Sequence, residues 1–100
     1  MRQGTTPTHI FTLSVNPSTL KTVLITYAQD GKIIVEKTLD DCEVSGNTIS
    51  VTLTQTDTLA IRATGYVQVQ VRAITEDGEA LTSNIMRAVM EPALNQEVLS

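Results

Sequence analysis

The stretch Tyr66–Thr75, YVQVQVRAIT, sets Val67, Val69, Val71 and Ala73 against Gln68, Gln70 and Arg72 without a break. Successive side chains of an extended strand point to opposite faces, so this is the pattern of a strand with one face buried and one wet. The device recurs. TISVTLT alternates Ile49, Val51 and Leu53 with Thr and Ser. HIFTLSV puts Phe11, Leu13 and Val15 on one side, and KTVLITYA does the same with Val23, Ile25 and Tyr27. Turn signals divide the runs: Asn16-Pro17-Ser18, Asp30-Gly31, VSGN and Asp77-Gly78. Six to eight short strands spaced this way predict an all-β chain, an antiparallel β-sandwich that is immunoglobulin-like in outline.

The two Asp-Gly pairs fix the expected register. In YAQDGKIIVEK a two-residue loop would pair Ile25 with Glu36, a charge on the apolar face. A three-residue loop, Gln29-Asp30-Gly31, pairs Tyr27 with Ile33 and Ile25 with Val35. By the same rule a Glu76-Asp77-Gly78 loop pairs Ala73 with Leu81 and Val69 with Ile85. Both loops put a glycine, Gly31 or Gly78, where φ > 0 is needed. Turn chemistry accounts for these residues without any catalytic or metal role.

Between the hairpins, Thr54-x-x-Asp57 has the form of a capping box, so one helical turn is expected over Gln55 to Ala60. The expected core is Phe11, Leu13, Val23, Ile25, Tyr27, Ile33, Val35, Ile49, Val51, Leu53, Val67, Val69, Val71, Leu81 and Ile85. SNIMRAVM is apolar in both parities, which a bulge or a change of sheet explains. One hundred residues make a single domain, 1–100. Its first eight residues, MRQGTTPT, are expected as a flexible arm, and 91–100 as a loose tail or a terminal helix.

The chain carries a net charge of −4 with seven scattered basic residues and only three aromatics, Phe11, Tyr27 and Tyr66. A nucleic-acid surface needs clustered Lys and Arg or aromatic platforms, so no nucleic-acid partner is expected. The same aromatic poverty weighs against a carbohydrate site. No apolar run is long enough for a signal peptide or a membrane span, so the expectation is a soluble protein made in the cytoplasm. Cys42 is the one cysteine, and no intrachain disulfide can form.

Chemistry-bearing residues are sparse. His9 is the only histidine and shares the parity of Phe11, as a structural strand histidine would. Cys42 has no basic neighbour in sequence to lower its pKa. The run DDCE offers Asp40, Asp41 and Glu43 as weak metal candidates, but without the spacing of a calcium loop. No catalytic residue and no cofactor is expected. A true immunoglobulin domain is not expected either, since paired cysteines are missing and Tyr66 falls on the parity of Gln68.

MRQGTTPTHIFTL, VLITYAQDGKIIVEKTLDDCEVSGNTISVTLTQTDTL and VQVQVRAITEDGEALTSNIM together resemble a family of short phage and prophage proteins. These are encoded among the tail genes of phages of Gram-positive bacteria, clostridia especially. In outline the chain is also similar to the N-terminal domain of upper baseplate proteins of lactococcal phages. The resemblance implies a non-enzymatic structural protein, tail- or baseplate-associated and possible in the virion. Its implied partners are other tail proteins or itself, in a homo-oligomer. The residues left apolar by the strand pattern, Met86, Met90, Leu94, Val98 and Leu99, are the expected assembly surface, the alternative for Leu94, Val98 and Leu99 being that they fold back to cover their own sheet. The alternative is a stand-alone β-sandwich module binding a host glycan or protein.

Overall fold

The alternating run Tyr66–Thr75 forms one of the two longest strands in a computed structural model that describes all 100 residues. Strands β1 (Thr8–Thr12), β5 (Thr48–Thr52) and β4 (Cys42–Ser45) make one antiparallel sheet in the order β1-β5-β4. Strands β3 (Lys32–Thr38), β2 (Leu20–Gln29) and β6 (Tyr66–Thr75) make the other. The outer side of β6 is filled successively by β7 (Ala80–Thr82) and β8 (Met86–Val89). This is the expected β-sandwich, immunoglobulin-like in its strand order. The one α-helical turn, α1 (Gln55–Ala60), has the capping box read from the sequence. Thr54 Oγ1 accepts from Asp57 N–H at 3.1 Å, and the Asp57 carboxylate accepts from Thr54 N–H at 2.9 Å.

Thirteen buried apolar residues form one cluster between the sheets. Val23, Ile25 and Tyr27 of β2, Val67, Val69 and Val71 of β6, and Ile49 and Val51 of β5 are all in it, as the alternation requires. Phe11, Leu13 and Leu81 lie half-buried at its margin. Val35 and Leu53 belong to it as expected, and Leu20, Ile61 and Met90 complete it, although no alternating run marks those three.

The first hairpin departs from the expected register. Gln29 pairs with Lys32, so the loop is the two residues Asp30 and Gly31. Asp30 takes φ 50° and Gly31 φ 77°, two consecutive left-handed residues whose twist suits adjoining strands. A bulge at Ile34 then restores the parity: Ala28 pairs with Ile33, and Tyr27 pairs with Val35. Ile33 is therefore outside the core, 60% exposed. Lys37 falls opposite buried Ile25 and turns inward, where its Nζ meets Asp57 of the helix cap at 2.8 Å. A charge on the apolar face is tolerated because its counter-charge is built into α1.

The second hairpin has the expected three-residue loop. Gly78 has φ 87°, Thr75 N–H donates to Glu79 C=O, and Ala73 pairs with Leu81. Beyond Thr82 the ladder breaks. Ser83 N–H donates to Val71 C=O, and Ser83 Oγ accepts from Val71 N–H at 2.9 Å. Asn84 and Ile85 are displaced, and β8 resumes one residue out of step, with Met86 rather than Ile85 opposite Val69. Ile85 is consequently exposed and not a core residue. This irregularity is what makes SNIMRAVM apolar in both parities.

Met1–Thr8 is tied down rather than free. Arg2 bridges Glu91 in parallel, Gln3 N–H donates to Glu91 C=O, and Glu91 N–H donates to Met1 C=O. The last residues, 91–100, form no helix. Leu99 is held by the Gln55 side chain, whose amide donates to Leu99 C=O at 2.9 Å and accepts from Leu99 N–H at 2.8 Å.

Candidate functional site

The residues with chemical potential are committed to structure. Asp40 and Asp41 lie in a 3₁₀ turn, and Glu43 is on β4 opposite Ser50. The Asp41 carboxylate accepts from Thr38 N–H at 2.9 Å, so it caps that turn. No group of three or more His, Cys, Asp or Glu is placed to hold a metal ion. Cys42 is half-buried and its thiol donates to Thr38 C=O at 3.3 Å. Burial, and then Asp41, push the thiol's pKa up, away from a reactive thiolate.

His9 reaches across the sandwich from β1 to β2. Its Nδ1 lies 2.6 Å from the buried Tyr27 hydroxyl. Burial lowers the His9 pKa, and the N-terminal ammonium adds to that. Burial also drives the Tyr27 phenol far above its ordinary value, with Cys42 and Asp57 contributing. Both rings are thus neutral near pH 7, and their bond ties the two sheets together with no third group to orient a base.

A second set of polar contacts closes the end of the sandwich that holds α1. Buried Gln29 donates to Arg62 C=O at 2.9 Å and accepts from Arg62 N–H at 2.8 Å. Gln3, also buried, donates to Ile61 C=O at 2.8 Å, and its Oε1 accepts from Gln96 at 3.0 Å. The Thr58 hydroxyl donates to Thr5 C=O and accepts from Gly4 N–H. Every buried side-chain polar atom has a partner, so none is left aimed at a ligand.

What remains is surface. On the three-stranded sheet the outward rows are Thr8–Thr52, Ile10–Ser50–Glu43 and Thr12–Thr48–Ser45. Thr8 and Thr52 hydroxyls pair at 2.7 Å. On the five-stranded sheet the outward rows are different. One runs Thr38–Leu24–Arg72–Thr82, the next Glu36–Thr26–Gln70, and the next Ile33–Ala28–Gln68–Arg87. Tyr66 and Val89 follow at one end, with Thr22, Ile74 and Ala80 at the other. Val89 is 68% exposed and Tyr66 46%, with the Arg87 guanidinium 4.8 Å over the Tyr66 ring. The sequence carried a signal for this face in Leu24 and Tyr66, large side chains on the parity that the core does not use; Val89 joins them only through the register shift before β8.

The expected assembly residues divide. Met90 is buried in the core and is not surface; Met86 is partly exposed beside Val69. Leu94, Val98 and Leu99 are exposed on the tail. No helix is long and apolar enough to cross a membrane.

No family model and no curated protein matches the chain. Among solved structures, the V domain of amphioxus IgVJ-C2 is similar to it at 17% identity and TM-score 0.37, over 90% of this chain and 96% of that one.

Proposed function

We propose that this β-sandwich is a non-enzymatic structural protein, a tail or baseplate component of a phage or prophage that acts through protein–protein assembly. The observation that carries the reading is the unlike chemistry of its two outward faces. One is lined mainly with hydroxyls, Ile10 and Glu43 excepted, and suits water. The other exposes Ile33, Tyr66 and Val89, with half-buried Leu24, beside Gln68 and Arg87, the mixture of aromatic, aliphatic and Arg that interfaces favour. The commitment of His9, Cys42, Asp41 and Asp57 to caps and cross-links supports the same reading. So does the resemblance of its strand and turn segments to short phage tail-region proteins. The test is mass spectrometry of purified tail particles from an induced lysogen carrying the gene. Peptides of this chain at a fixed ratio to the tail proteins support the proposal. Recovery only in the soluble fraction overturns it in favour of a stand-alone binding module.

A further inference from the structure

We infer that the outward face of the five-stranded sheet packs on the same face of a second copy, about a two-fold axis parallel to the strands. The inference rests on the assembly reading and specifies its surface and partner. Three observations lead to it. The middle of the face, Thr26 and Ala28 on β2 beside Gln68 and Gln70 on β6, is uncharged. The two most exposed apolar groups of the face stand at its flanks, Ile33 on β3 at one side and Val89 on β8 at the other, with Tyr66 and Ile74 at the two ends of β6. The flanking charges are opposite, Glu36 on β3 and Arg87 on β8, while Arg72 stands on central β6 one row beyond Gln70.

That division selects the axis. Rotation about a line along the strands lays β3 of one copy over β8 of the other. Ile33 then meets the Arg87–Val89 flank of the second copy, and Glu36 comes within one row of its Arg87. One row is two residues, about 7 Å of strand rise, which an arginine side chain spans. Rotation about a line across the strands would instead oppose Glu36 to its own copy. Lys32, opposite Gln29, lies on the other parity and does not share the face. Seven-residue β3, ten-residue β2 and β6 and an outer lane shared by β7 and β8, about 4.8 Å apart, give roughly 550 Å² per partner. That is below the ~800 Å² of a standard interface, so a weak dimer is expected.

Sedimentation of the full chain over a concentration series tests this. The expected result is a reversible dimer weakened by Ile33→Glu and by Val89→Glu and unaffected by Ile10→Glu on the opposite sheet. Glu36→Arg and Arg87→Glu should each weaken it roughly tenfold, and the double variant Glu36→Arg/Arg87→Glu should regain most of the loss. Circular dichroism confirms that each variant is folded. A wild-type monomer at every concentration overturns the inference, as does a dimer indifferent to Ile33→Glu and Val89→Glu, or a double variant no better than the singles. A monomer that still enters tail particles overturns the second copy while leaving the assembly reading intact. A dimer missing from tail particles does the reverse.

Discussion

On the three-stranded sheet, six of the eight outward positions in the paired rows are Thr or Ser; the exceptions are Ile10 and Glu43. On the five-stranded sheet the equivalent positions include Leu24, Ile33, Tyr66, Ile74 and Val89. Both faces belong to strands of the same sandwich, and both stand over the same core. Threonine satisfies a strand's preference for β-branched side chains and needs no cover. The first sheet shows that this fold can be built with such a surface. The large apolar groups on the second are therefore not demanded by strand formation, and on the proposed reading they serve contact with a second copy.

The comparison depends on parity, and parity can be broken by mutation. Ile25 points inward and Leu24 outward on the same strand. Ile25→Ala should cost about 3 kcal/mol, and Leu24→Ala under about 1 kcal/mol, in equilibrium unfolding of the monomer. Equal losses would mean that the two faces are misassigned.

Next in size is the device that fixes β3. Burial acts to raise the Asp57 pKa, but hydrogen bonds from Lys37 and Thr54 outweigh it and hold the carboxyl below its ordinary value. A carboxyl whose folded pKa is depressed adds stability above its unfolded pKa, near 4, and loses it as pH falls through the folded value. Asp57→Asn should therefore cost about 1 kcal/mol at pH 7, where the cap and ion pair are broken, and much less near pH 2. A loss that does not shrink in acid would remove the electrostatic role and leave only packing.

Gly31 and Gly78 sharpen the register of the two hairpins. Each has a left-handed backbone with nothing within 4 Å of an added Cβ, so Gly→Ala carries only the conformational cost. That cost should be about 1 kcal/mol at each site, measured by urea unfolding. The smallest effects should come from the faces themselves. Ile10→Lys and Ile33→Lys should each change monomer stability by less than about 0.5 kcal/mol, because both side chains stand mainly in solvent.

Much of this architecture was legible from the sequence because alternation reports burial directly. β5, β6, the second turn and the Thr54–Asp57 cap all follow from local pattern. The register failures have one physical origin. A bulge costs a single residue and inverts every side chain beyond it, and no local composition marks Ile34 or Ser83 as the place. The rule that rejected a two-residue turn assumed that charge cannot face the core, whereas Asp57, twenty residues away, supplies the partner for Lys37. Met90 and Gln3 were missed because termini that pair with each other leave no periodic trace. The outward face was readable only in part: Leu24 and Tyr66 stood out on the polar parity, but Ile33 joined them through the bulge.

Hydroxyl-radical footprinting of the wild-type chain at low and high protein concentration compares the two faces within one molecule. Reactivity of Ile33, Tyr66 and Val89 should fall as concentration rises, while that of Ile10 stays constant. Equal protection of Ile10, or no concentration dependence at any of the four, would contradict the assignment of one face to water and the other to a second copy.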